Sequence, residues 1–251
     1  MRNLRMALAF LTRIPLTPSE PVTLPASAIA LWFPIAGLVI GGLVGGVYWL
    51  AIQLLPAFPA AVIAIGFGVL ITGAFHEDGL ADTFDALGGG SDRDAVLRIF
   101  KDSSLGTFGV AALGLSILLR VSFLGALDGT AGLFTVMAAH GLGRGVAAAT
   151  MGFASPAAAG LGGSFMSGFT RLHAIAVGTL GLAIGALLLG PPGVIAYLIA
   201  TIAAVLMVRW ATRKTGGITG DVLGAIEQLG EISVLVTAVA TIDYWGIPWW
   251  N

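Results

Sequence analysis

The chain has 251 residues, of which 57% are hydrophobic and only 10% are charged, and its formal net charge is −1. Soluble domains average about 25% charged residues, so this composition excludes an ordinary soluble domain and indicates an integral membrane protein. A net charge near zero gives no support for a nucleic-acid partner, and a chain without cysteine cannot form a disulfide framework.

The first residues of the chain predict an amphipathic helix. Its apolar face is formed by Leu4, Leu8 and Leu11, and arginines lie opposite. A secretory signal peptide is disfavoured because Arg13 and Pro15 interrupt the apolar run and no small-residue cleavage pattern follows. We therefore predict that this helix lies at the cytoplasmic membrane interface.

Seven apolar segments follow, and each is predicted to cross the bilayer as a helix. They cover about residues 28–50, 59–75, 105–127, 131–153, 172–190, 193–210 and 222–242. The first carries Gly37, Gly41 and Gly45 at four-residue spacing, which predicts close packing against another helix. We predict an all-α, polytopic membrane helix bundle that forms a single domain over residues 1–251.

The positions of the basic residues predict the orientation of the bundle. If the N-terminus is cytoplasmic, none of the outward-facing segments contains Lys or Arg, as the positive-inside rule requires. Two polar stretches, about 76–104 and 211–221, then face the cytoplasm as loops and can form one site. The prediction is a multi-pass protein of the cytoplasmic (inner) membrane with its active site on the cytoplasmic side.

The segment from residue 76 to residue 102 holds seven of the thirteen acidic residues. Asp78, Asp82 and Asp85 stand at i, i+4 and i+7, which places them on one face of a helix. Like charges repel at this spacing, and carboxylates without cysteine favour a hard cation, which predicts Mg²⁺. The alternative is a solvated acidic helix start, which explains Asp78 but not Asp85.

Four ionisable residues fall inside predicted spans, where a charge is costly and marks a functional or structural site. They are Arg120, Arg144, Glu227 and Glu231. For Arg120 an interhelical ion pair and a contact to a ligand phosphate both stay open. For Arg144, small neighbours on both sides favour contact with a phosphate or with the metal site over a structural ion pair.

Two further segments have polar or flexible residues next to a predicted span. The turn Gly216–Asp221 precedes a helix, so its N–H groups could hold an anion and Asp221 could act as a metal ligand or a base. Such turns are common, and the signal is weak by itself. At Lys101 and Asp102, a contact to an anion competes with a simpler interpretation, in which Ser103 or Ser104 caps the third span.

Clustered carboxylates, basic residues and a glycine-rich turn indicate phosphoryl or nucleotidyl transfer at a membrane. The alternative from another class is a cation-coupled secondary transporter, in which the cation would bind Asp78, Asp82, Glu227 and Glu231. That alternative is disfavoured because the densest charge is predicted in a loop and the sequence has no convincing internal repeat.

Several ordered motifs resemble those of the cobalamin synthase family, the adenosylcobinamide-GDP ribazoletransferases. They are residues 10–15, Phe33-Pro34 with Gly37, residues 75–90, residues 101–109, Gly143-Arg144 and residues 217–225. Ala86 and Ser104 depart from the family pattern, which has Gly and a base at these positions. CDP-alcohol phosphotransferases have a similar acidic motif, but the residues after Asp85 do not supply the arginine of that motif.

The resemblance implies a Mg²⁺-dependent membrane transferase. Its substrates would be adenosylcobinamide-GDP and α-ribazole or its 5′-phosphate, and it would release GMP in a late step of cobalamin biosynthesis. Besides these substrates, the implied partner is the lipid bilayer. A homo-oligomer is compatible with the sequence, which does not fix the oligomeric state.

The resemblance also implies roles for individual residues. The metal ligands would be Asp78, Asp82 and Asp85, with Glu77 or Asp221 completing the shell or accepting the proton of the attacking hydroxyl. Lys101 and Arg144 would stabilise the leaving GMP phosphate. The predicted catalytic residues are therefore Asp82, Lys101, Arg144 and Asp221, and the predicted substrate-binding residues are His76, Lys101, Asp102, Arg144 and Thr219.

Overall fold

Helices account for nearly all regular structure in this protein. The computed structural model describes residues 2–16, 25–102, 104–158 and 160–245. Within these ranges the helices are α1 (Arg2–Leu11), α2 (Ala26–Ala30), α3 (Phe33–Ala51), α4 (Ala57–Thr72), α5 (Phe75–Gly89), α6 (Arg93–Ile99), α7 (Thr107–Leu124), α8 (Gly129–Thr150), α9 (Leu161–Met166), α10 (Arg171–Leu189), α11 (Pro191–Thr215) and α12 (Gly220–Trp245). The prediction of an all-α membrane bundle is confirmed.

Seven of these helices lie at the seven predicted spans. They are α3, α4, α7, α8, α10, α11 and α12. By length and hydropathy, five of them can cross a membrane, and α4 with α5 gives a sixth if this bent pair is one span. The remaining helix, α8, is rich in Ala and Gly, and it packs against α3, α10 and α12. It therefore forms the centre of the bundle.

The glycines of α3 provide the close helix contact that their spacing predicted. A Cβ atom on Gly41 would lie 2.7 Å from the carbonyl oxygen of Val136, and one on Gly45 would lie 2.8 Å from that of Leu133. Both carbonyl groups belong to α8. Because only glycine leaves room for the neighbouring backbone at these distances, the predicted close packing is confirmed.

The stretch predicted as a polar loop at 76–104 is mostly helical. α5 turns away from α4 by 88°, and Gly73 and Ala74 make this turn with left-handed backbone conformations. A short turn then leads to α6, whose first N–H groups are capped by Asp92. The loop prediction was wrong because buried residues recur at helical spacing among the charges of α5. With four acidic residues, α5 packs against α12 and α7, and its Gly79 and Asp85 lie at the starts of these two helices.

The second predicted loop, 211–221, is also shorter than expected. α11 continues to Thr215, and only residues 216–219 separate it from α12. The backbone of Ile218 pairs with a neighbouring segment, since its N–H donates to the carbonyl of Ser155 and its carbonyl accepts from Ala157. The segment from 155 to 168 therefore covers the start of α12.

Both ends of the described chain agree with the predicted helices. α1 buries Ala7 and Leu11 against the bundle, while its interfacial position stays a prediction. α12 extends to Trp245, and Tyr244 is exposed. The sequence places Tyr244, Trp245, Trp249 and Trp250 at the end of this span, a pattern that predicts an interfacial aromatic belt. Trp249 and Trp250 lie outside the described residues.

Candidate active site

The aspartates of α5 differ in burial although they share one face. Asp78 is exposed, Asp82 is half-buried and Asp85 is buried. α12 crosses α5 at Gly79, where a Cβ atom would lie 2.9 Å from the carbonyl oxygen of Asp221. This contact brings Asp221 to the acidic face of α5. Burial, and then the charges of Asp78, Asp221 and Asp85, raise the pKa of Asp82 to about 6.

The carboxylates of Asp78, Asp82 and Asp221 lie close enough for their charges to interact, but they do not bring three ligand atoms within 4.8 Å of one another. Among the described residues, no ion pair with Lys, Arg or His involves any of the three. A hard cation with oxygen ligands would relieve this uncompensated negative charge. Thr219 lies next to the third carboxylate, that of Asp221.

Asp85 is engaged with the backbone of the next long helix. Its two carboxylate oxygens accept hydrogen bonds from the N–H groups of Gly106, at 2.7 Å, and Gly109, at 2.8 Å. Asp85 thus caps α7 from a different helix. Ser104 does not cap α7, because this helix begins at Thr107 with Gly106 as its N-cap residue. Ser103 lies outside the described residues.

We expect Asp85→Asn to lower the free energy of unfolding by about 1.5–3 kcal/mol, because the amide replaces one of two charged acceptors. Denaturant unfolding of the purified protein in detergent would measure the loss, and amide hydrogen exchange would increase in residues 104–109. Asp78→Asn is the matched control, since Asp78 is exposed on the same helix. Unchanged stability of Asp85→Asn would contradict this role.

Glu77, the fourth predicted metal ligand, faces the interior of the bundle. Its carboxylate lies 2.9 Å from the Arg120 guanidinium, which also contacts Glu231 at 3.1 Å. All three side chains are buried. Arg120 is therefore part of an interhelical ion pair, one of the two alternatives left open by the sequence, and Glu77 points away from the exposed aspartates.

Arg144 belongs to the same buried network. It pairs with Glu227 and lies 3.2 Å from Glu231. Its guanidinium is also 2.8 Å from His140 Nδ1 and 3.3 Å from His76 Nδ1. Contrary to the sequence-based interpretation, Arg144 thus makes structural ion pairs, and its contact with phosphate stays a prediction.

The glycines that flank Arg144 serve helix packing. A Cβ atom on Gly143 would lie 3.0 Å from the carbonyl oxygen of Glu227, and one on Gly145 would lie 2.8 Å from the Cα of Gly181. The small side chains therefore let α12 and α10 approach α8 closely. The prediction that they open space around the Arg144 guanidinium was therefore wrong.

The network was partly missed by sequence reasoning. His140 was not predicted as a site residue. It stands four residues before Arg144 on the same face of α8, and this spacing could have identified it. His140, Glu227 and Glu231 lie close enough together to hold a metal ion. Both carboxylates already have cationic partners, since Arg144 contacts the two of them and Arg120 contacts Glu231.

A cavity of about 140 Å³ is lined by Asp221 of the acidic cluster and by Arg144 and Glu227 of the buried network. One side is aromatic and includes Phe10, whose ring centroid lies 4.7 Å from that of Phe165. The other side is polar, with His76, Arg144 and Asp221. A ligand with an aromatic ring and an anionic group would match this division.

The remaining predicted site residues lie on connecting segments. Lys101 and Asp102 are exposed between α6 and α7, and no contact among the described residues joins them to the aspartates. In the glycine-rich turn, Thr219 accepts a hydrogen bond from the Val222 N–H at the start of α12. The Ile218 N–H is bound to Ser155, so it is not free to hold an anion.

Comparison with known proteins gives a consistent result. A family model described as cobalamin-5-phosphate synthase matches residues 3–239. An adenosylcobinamide-GDP ribazoletransferase of Bradyrhizobium diazoefficiens is 42% identical over 246 residues, covering 95% of this chain and 93% of that protein. A protein of the same name from Mesorhizobium japonicum is 39% identical, with 96% and 94% covered. No solved structure matches this chain.

Proposed function

This chain belongs to the cobalamin-5-phosphate synthase family, and we propose that it is an adenosylcobinamide-GDP ribazoletransferase. It would join adenosylcobinamide-GDP to α-ribazole or its 5′-phosphate and release GMP. The relatives named for this activity cover 95% and 96% of the chain. The observation that carries the proposal is an uncompensated carboxylate cluster at the edge of a cavity that also contains an arginine.

In this proposal Asp78 and Asp82 hold Mg²⁺, and Asp221 lies beside them as a base. When bound, the ion would neutralise the negative charge that develops on the diphosphate of the GDP-activated substrate. This ligand set is narrower than the one predicted from the sequence. Asp85 is committed to the N-terminus of α7 and Glu77 to Arg120.

The transfer breaks a phosphoanhydride bond and forms a phosphate ester bond. The hydroxyl oxygen of α-ribazole forms a bond to the phosphorus next to cobinamide, the bond from this phosphorus to the GMP oxygen breaks, and the hydroxyl proton passes to a base. We favour Asp221 as this base, because it lines the cavity while Glu77 is ion-paired in the interior. The aromatic side of the cavity would receive part of the ribazole base.

Two basic residues would contact the leaving GMP. The Nε atom of Arg144 is buried without a hydrogen-bond partner, although the rest of this guanidinium is paired. It is therefore a donor that a phosphate oxygen can use. Lys101, exposed between α6 and α7, is the second basic residue that the family resemblance assigns to the leaving GMP.

The proposed site opens to the cytoplasm from the cytoplasmic (inner) membrane. α11 ends with Arg213 and Lys214 at the bundle end where α12 begins. The Lys214 ammonium group donates to the carbonyl oxygen of Gly90, so α5 lies at this end as well. The positive-inside rule supports a cytoplasmic position for such a basic end.

The test is GMP release by purified protein in detergent, given adenosylcobinamide-GDP and α-ribazole. We expect release with Mg²⁺, no release with EDTA, and recovery when excess Mg²⁺ is returned. A cobalamin product would identify the reaction, since simple hydrolysis of the substrate would leave α-ribazole unconsumed. If the folded protein releases no GMP and instead shows cation-coupled uptake in vesicles, it is a secondary transporter and the proposed enzyme activity is wrong.

A further inference from the structure

A second cavity lies between α8, α10 and α11, with different residues from those of the proposed active site. Its volume is about 500 Å³, and its walls are mainly apolar, with Val146 on α8, Ile175 on α10 and Val205 on α11. Ile175 and Val205 are 57% and 44% exposed, so the cavity is a groove open to the surface of the bundle. Since α10 and α11 are membrane-spanning helices, this surface faces lipid.

The groove runs along the membrane-spanning direction. On α11 its lining residues extend from Tyr197 to Arg209, which are twelve residues apart and therefore separated by about 18 Å along the helix. The walls contribute no charge over this length until Arg209. A groove this long and apolar in a bilayer has the shape and the surface for an acyl chain, because an empty groove would forfeit dispersion contacts along its walls.

The mouth of the groove is positively charged. Arg209 is exposed, and the described residues give its guanidinium no hydrogen-bond or ion-pair partner. α10 and α11 are antiparallel neighbours joined at Gly190, and Arg171 and Arg209 are each nineteen residues from that turn. The two arginines therefore lie at the same level of the bundle. Guanidinium groups bind phosphate oxygens in a bidentate manner, so this mouth suits an anionic headgroup.

We propose that the groove is a binding site for one anionic phospholipid. Its acyl chain lies between α8, α10 and α11, and its phosphate group contacts Arg209 and Arg171. The site is independent of the proposed transferase reaction. Because Val146 is two residues from Arg144, a bound lipid packs against the helix that carries the buried charge network.

Native mass spectrometry of protein stripped of lipid by detergent exchange tests this proposal. Phosphatidylglycerol or phosphatidylcholine is titrated into the protein, and one-lipid adducts are counted. We expect phosphatidylglycerol to bind more tightly, and Arg209→Gln to weaken this binding about fivefold. The charge-matched control is Arg2→Gln, an exposed arginine on α1.

A second pair of variants tests the groove itself. Val205→Trp places a large side chain inside it and is expected to abolish the adduct. Ile202→Trp, on the lipid-facing surface of the same helix but not in the groove, leaves the adduct unchanged. Equal binding by the two tryptophan variants would overturn the proposal, and so would equal binding of the two lipids. If inorganic phosphate displaces the lipid, the mouth is a phosphate site. If a dimer forms and excludes the lipid, the groove is a dimer interface. Either result would overturn the proposal.

Discussion

Asp82→Asn is expected to lower the rate of GMP release by about 10³-fold or more while the protein stays folded in the membrane. Asp82 lies between Asp78 and Asp221 in the carboxylate cluster, and the asparagine removes the charge that holds the cation there. The substitution also removes repulsion between carboxylates, so stability should not fall. GMP release at saturating Mg²⁺, measured on protein with a normal unfolding curve, checks this prediction.

The matched control for Asp82 is Asp94→Asn. Asp94 is also an aspartate on a helix at this end of the bundle, but its side chain is 92% exposed and its contact with Arg93 is 4.0 Å long. We expect this variant to keep the rate of the unsubstituted protein. An active Asp82→Asn variant would refute the metal assignment, whatever the control does.

Arg120→Met is expected to lower the free energy of unfolding by about 3–5 kcal/mol, because it leaves Glu77 and Glu231 without this shared partner inside the bundle. The network holds three carboxylates and two guanidinium groups, so the loss of one guanidinium doubles its excess negative charge from one to two. Uncompensated charge is especially costly away from water. Denaturant unfolding in detergent measures the change.

Two further variants distinguish the stability lost with the ion pair from the stability lost with the side chain itself. Arg120→Met combined with Glu77→Gln restores the original excess of one negative charge and should recover part of the lost stability. Arg98→Met removes an exposed arginine on α6 and should change stability by less than about 0.5 kcal/mol. If Arg120→Met is as stable as Arg98→Met, the buried network does not hold these helices together.

The sequence by itself determined the class of protein and the positions of its long helices. Hydropathy and helical periodicity are local properties, so they could be read without knowing which helices are neighbours. The spacing of Gly37, Gly41 and Gly45 was sufficient to predict a close helix contact for the same reason. The family motifs were equally accessible, because each is a short run of consecutive residues.

Only the tertiary structure decided how the charged residues are divided. Glu77 and Asp78 are adjacent in sequence, yet one pairs with Arg120 in the interior and the other is exposed. Asp85 shares a face with Asp82, yet it caps α7. Helical spacing fixes the face on which a side chain stands, whereas its partner depends on which helix crosses that face. These crossings join residues that are about 20 to 140 positions apart, beyond the reach of local sequence patterns.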